Sequence, residues 1–187
     1  MNFKTSLFLI SLLVVFNCSE HNSTPYEGGK NTVFTSIPER HSNIDFENTI
    51  KETIDFNFLN YSYIYNGGGV AVGDINNDGL EDIYFTSNQN SNKLYLNKGN
   101  FVFEDITEDA KVEDDKGWTT GVAMIDINND GWLDIYVCKS ASLNNRNARQ
   151  NKLFINQKNN TFKDEALKYG LKDYSFSTQA YFLDYDK

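Results

Sequence analysis

A repeat constrains this chain more than any other feature. Gly69-Val70-Ala71-Val72-Gly73-Asp74-Ile75-Asn76-Asn77-Asp78-Gly79 returns, 52 residues on, as Gly121-Val122-Ala123-Met124-Ile125-Asp126-Ile127-Asn128-Asn129-Asp130-Gly131. Lys93-Leu94-Tyr95-Leu96-Asn97 returns as Lys152-Leu153-Phe154-Ile155-Asn156 at an offset of 59, so the second copy holds seven extra residues between Tyr136 and Lys152. The polar, irregular stretch from Lys139 to Asn151 reads as that insertion, a surface loop. A third copy opens at Ser177 and sets Asp184 opposite Asp126 before the sequence stops at Lys187. Stopping inside a repeated loop implies that the natural protein is longer.

Each copy has four strand-like runs, Val70–Gly73, Ile83–Thr86, Leu94–Leu96 and Phe101–Asp105 in the first. Stretches rich in Asn, Gly and Asp separate them, the pattern of short strands joined by tight turns. Four antiparallel strands make one blade, and a blade buries its faces by stacking against its neighbours. The expected fold is therefore all-β, a β-propeller of four-stranded antiparallel blades with about two complete blades in this sequence. A closed ring takes roughly four to eight. The expected segments are a signal peptide (1–17), a lipidated Cys and tether (18–32), an N-terminal extension or partial blade (33–65), repeat one (66–117), repeat two (118–175) and the start of repeat three (176–187).

The signal-peptide reading rests on Lys4 followed by an apolar run from Leu7 to Phe16, too short to span a bilayer. Val15-Phe16-Asn17-Cys18 resembles a bacterial lipobox, which implies lipidation of Cys18 and a membrane contact made only through that anchor. The polar segment after it reads as a flexible tether. With Cys18 acylated, Cys138 has no partner for an intrachain disulfide and is expected to be a half-buried residue at a strand end.

A net charge of −9 argues against nucleic acid or anionic lipid as a partner, because phosphate recognition needs clustered Lys and Arg. A cation is the better partner. In Asp74-Ile75-Asn76-Asn77-Asp78-Gly79-Leu80-Glu81-Asp82, side-chain oxygens recur at positions 1, 3, 5 and 9, with Gly at position 6. Calcium takes about six to eight oxygen ligands, and short Asp and Asn side chains let a tight backbone wrap it. The expected ligands are Asp74, Asn76, Asp78, the Leu80 carbonyl and Asp82. In the second loop they are Asp126, Asn128, Asp130, the Trp132 carbonyl and Asp134, and Asp184 and Asp186 begin a third. Ile75 and Ile127 are expected to point into the blade. An EF-hand needs Glu at position 12, where this chain has Phe85 and Val137 in strand-like runs. Magnesium fits less well, since it demands a small octahedral shell and keeps its waters.

These loops resemble the FG-GAP, or VCBS, repeats of integrin-α-type propellers. GGGVAVGDINNDG with KLYLNKGNFVFEDIT is similar to bacterial lipoproteins of the ASPIC/UnbV or cartilage-acidic-protein-like family. The resemblance spans about Asn66 to Lys187 and implies that loop positions 1, 3, 5 and 9 bind structural Ca2+. It also implies a C-terminal segment that this sequence lacks. The expected role is a non-catalytic, calcium-stabilised cell-envelope scaffold for binding or adhesion, with a protein or glycan ligand. The expected location is outside the cytoplasm, lipid-anchored in a Gram-negative outer membrane and facing the periplasm or the surface. The alternative is a propeller-based enzyme acting on polysaccharide, its active site in the missing C-terminal part. His21 and His41 supply no triad, and no zinc or phosphate-loop pattern accompanies them. Trp118 and Trp132 read more readily as core between blades than as a sugar-stacking surface.

Overall fold

The computed structural model describes residues 33–114, 117–141 and 144–185; the signal segment, Cys18 and the tether lie outside them. Two four-stranded antiparallel sheets account for the repeats. The first is β1 (Val70–Gly73), β2 (Asp82–Phe85), β3 (Lys93–Asn97) and β4 (Phe103–Asp105), and the second is β5 (Trp118–Ile125), β6 (Asp134–Ser140), β7 (Lys152–Asn156) and β8 (Phe162–Asp164). Strand order follows the sequence in both, β1-β2-β3-β4 and β5-β6-β7-β8, each strand hydrogen-bonded to the next. The all-β expectation holds, and the first-sheet strands fall within two residues of the runs read from the sequence.

The period-2 alternation of a strand decides what each blade buries. Ala71, Tyr84, Leu94 and Leu96 from the first sheet share one core with Val122, Ile135, Val137 and Phe154 from the second. The intervening residues of β6, Tyr136 and Cys138, point the other way and pack with Leu153, Ile155 and Phe182. Both faces of the second blade are therefore covered, which is why every residue of β6 is buried. Cys138 is accordingly 2% exposed within β6 rather than half-buried at its end, and burial, then the charge of Asp173, pushes its thiol up to about 11.

The insertion also differs from its sequence reading. Lys139 and Ser140 complete β6, Asn151 is buried, and a 3-10 turn forms over Arg146–Arg149. Residues 33–65 hold a helical turn, α1 (Glu39–Ser42), and no strand. Their first part lies along blade one, where Phe46 stacks on Phe85 at 4.8 Å and the Tyr95 hydroxyl donates to Asp45, and their later part packs on Trp118 of blade two. Among the described residues, no helix is long and apolar enough to cross a membrane.

Candidate metal centre

Each repeated loop joins the first strand of a blade to the second, β1 to β2 and β5 to β6. Backbone conformation explains part of the sequence pattern. Position 4 (Asn77, φ 58°; Asn129, φ 56°) and position 6 (Gly79, φ 85°; Gly131, φ 84°) are left-handed, a conformation that Gly adopts freely and Asn tolerates.

The side chains converge on their own loop. In the first, Asp74 accepts from the Asp78 N–H (3.2 Å) and the Gly79 N–H (2.8 Å), Asn76 from the Asp78 N–H (3.2 Å), and Asp78 from the Leu80 N–H (2.8 Å). The second reproduces this. Asp126 accepts from Asp130 (2.9 Å) and Gly131 (2.8 Å), Asn128 from Asp130 (3.1 Å), and Asp130 from Trp132 (3.0 Å).

Position 9 has a structural role that sequence reasoning missed. Asp82 is fully buried and accepts from the Ile75 N–H (3.0 Å) and the Asn97 N–H (2.7 Å), tying the loop to β3. Asp134 does the same with Ile127 (3.2 Å) and Asn156 (2.8 Å). Asn97 and Asn156 are the partners, and their recurrence at the end of the KLYLN and KLFIN motifs was the available signal. Asn156 also crosses between blades, its amide donating to the Ile75 carbonyl at 2.8 Å. The loops touch directly where the Asn77 amide donates to the Gly131 carbonyl at 3.1 Å. Ile75 is in the shared core, and Ile127 packs on the opposite face of blade two.

Among the described residues, no group of three or more His, Cys, Asp or Glu side chains is gathered as a ready metal cage. The donor chemistry nonetheless suits a hard cation. A carboxylate oxygen has two lone pairs, so one N–H bond leaves the other available. The carbonyls of Leu80 and Trp132 accept no hydrogen bond among the described residues. Burial raises the pKa of Asp82, the N–H groups of Asn97 and Ile75 oppose it, and the charges of Asp78 and Asp74 raise it further. Asp134 behaves alike, with Asp130 and Asp126 as the like charges. A cation would relieve that repulsion. Asp184 is exposed in an extended segment without strand pairing, and Asp186 lies outside the described residues.

The surroundings of position 5 differ between the loops. Asp78 Oδ2 accepts from the Asn76 amide at 2.9 Å, whereas Asp130 Oδ2 lies 3.2 Å from Lys158 Nζ. Lys158 (φ 63°) occupies the place of Gly99 (φ 85°) in the first repeat.

The matched segment starts at the first Asp of the first loop and runs past the last Asp of the second. Residues 74–137 match the FG-GAP-like repeat. The chain is 42% identical over 72 residues to cartilage acidic protein 1 of Xenopus tropicalis, covering 38% of this chain and 11% of that protein. It is 39% identical over 72 residues to the Homo sapiens protein of that name, with the same coverage. The Mus musculus protein is 39% identical over 69 residues, covering 37% of this chain and 11% of its own length. The match thus spans about a ninth of these relatives.

Proposed function

We propose that this chain is part of an exported, non-catalytic β-propeller scaffold, stabilised by calcium at Asp74–Asp82 and Asp126–Asp134, that presents a binding face to a protein or glycan ligand. The proposal includes a lipid anchor at Cys18 in a Gram-negative outer membrane. The observation that carries it is the near-identity of two FG-GAP-like loops with hard-oxygen donors at positions 1, 3, 5, 7 and 9. When bound, calcium would neutralise the three Asp carboxylates of each loop and fix the turn between the first two strands of each blade. A catalytic site within the described residues finds little to build on, since His41, the one described histidine, hydrogen-bonds the Asn100 carbonyl at 2.8 Å; the polysaccharide-enzyme alternative places its site elsewhere.

Thermal unfolding in EDTA, calcium and magnesium tests this reading. A cation at about a hundredfold over its dissociation constant stabilises by about 2.7 kcal/mol per site. Two sites in a chain of this size should then raise the melting temperature by roughly 10–20 °C. The rise should follow calcium and not magnesium, and vanish in Asp74→Ala/Asp126→Ala. An unchanged melting temperature with calcium would reduce the loops to hairpin turns.

Lys158 sets a second expectation. Its ammonium competes with a bound cation for Asp130, but solvent screens the pair, since the two side chains are 47% and 26% exposed. In an Asp74→Ala background, Lys158→Gly should tighten calcium binding about 1.5- to 5-fold by titration calorimetry. Equal affinities would show that the ammonium simply swings away.

A further inference from the structure

Opposite the metal loops, at the other ends of the same strands, lies a cleft of about 780 Å³. Its floor is the same pair of repeat positions taken three times, Gly68-Gly69, Thr120-Gly121 and Thr178-Gln179. A further repeat position also lines it, with Asn66, Trp118 and Phe176 equivalent in the three copies. The floor is tightly built: the Gly121 N–H donates to the Thr178 carbonyl at 2.9 Å, and the Thr120 hydroxyl to the Ser177 carbonyl at 2.9 Å.

Among the described residues, no charged side chain lines this cleft, although 23% of the chain is charged. That lining favours uncharged ligands over phosphates or carboxylates, which Arg and Lys recognise, and over cations, which carboxylates recognise. Aromatic rings and uncharged hydrogen-bonding groups line it instead. Tyr63 and Phe176 stand 61% and 53% exposed at its edge. Both are held in place, Tyr63 by an edge contact with Tyr61 (5.9 Å) and Phe176 by the Arg149 guanidinium 4.4 Å from its ring centre. Trp118, buried beneath, packs edge-on to Phe56 (5.2 Å) and Tyr61 (5.8 Å). The side chains of Ser62, Asn66 and Thr178 make no hydrogen bond among the described residues, so their capacity is open to a ligand.

We propose that this cleft binds a neutral oligosaccharide. Sugar rings present C–H faces that pack on aromatic rings and hydroxyls that both donate and accept, which suits exposed Tyr63 and Phe176 beside amide and hydroxyl side chains. A purely apolar ligand would instead leave Ser62, Asn66 and Thr178 desolvated without partners. The volume lies within the range of small-ligand sites, about 300–1,000 Å³. The inference deepens the binding role proposed above by naming the ligand class, and it does not require calcium.

The test is titration calorimetry of the full chain, at a temperature where its melting curve shows it folded, against neutral hexasaccharides: α- and β-linked glucans, mannan, xylan, galactan and chitin fragments. At least one should bind, and Tyr63→Ala/Phe176→Ala should weaken it at least tenfold with an unchanged melting temperature. Leu167→Ala, a comparably exposed apolar site on blade two, should bind as the parent does. Binding of no panel member, binding that survives the double substitution, or binding only of sulfated or uronic-acid fragments added as controls would overturn the proposal. So would capture of the cleft by a protein ligand that no sugar displaces. Failure of the calcium scaffold appears separately, in the melting curves.

Discussion

Lys139→Ala should be the most damaging single substitution in blade two, costing about 3–5 kcal/mol, the usual result of removing one partner from a buried pair. The Lys139 ammonium lies 2.6 Å from both carboxylate oxygens of Asp114, and the two side chains are only 2% and 5% exposed. Asp114 belongs to the connection from blade one to blade two, so the pair fastens that connection to the end of β6. Alanine would leave the buried carboxylate without its ion-pair partner. In denaturant melts the midpoint should fall sharply, with the melting temperature down by roughly 10 °C. Asp114→Asn/Lys139→Met should recover most of the loss, because the cost lies in the orphaned charge rather than in the missing attraction. Equal losses for the single and double variants would mean that the pair matters through packing alone.

Gly69→Ala should destabilise by about 1–3 kcal/mol, the range for overpacking a close-packed contact. A Cβ there would sit 2.7 Å from the Thr120 carbonyl oxygen and 3.1 Å from Gly121 Cα, and both obstacles are backbone of the next blade. Neither can rotate away. The contact recurs one repeat on, where a Cβ on Gly121 would meet the Thr178 carbonyl oxygen at 2.5 Å. Glycine thus stands where successive inner strands converge. Chemical denaturation of Gly69→Ala and Gly121→Ala tests this, and wild-type midpoints for both would show that the blades yield without cost.

Much of this architecture was already legible in the sequence. Strand runs, turn glycines and the recurring Asp-x-Asn-x-Asp-Gly-x-x-Asp loop depend on interactions a few residues apart, and the β1 to β4 boundaries followed from alternation and turn chemistry alone. Repetition did the rest, since a repeat that recurs in register must stack. Other features were settled only by tertiary packing. Cys138 and Lys139 look like a strand end and the start of a polar insertion, yet both are buried, because a second layer covers blade two and Asp114 arrives from a distant connection. Asp82 and Asp134 were read as ligands alone, while their bonds to Asn97 and Asn156 span 15 and 22 residues. The aromatic cleft was out of reach for the same reason: it exists only where the same position of three successive repeats is brought to one place. Local pattern determines which residues form a blade, whereas burial and long-range pairing are properties of the stack.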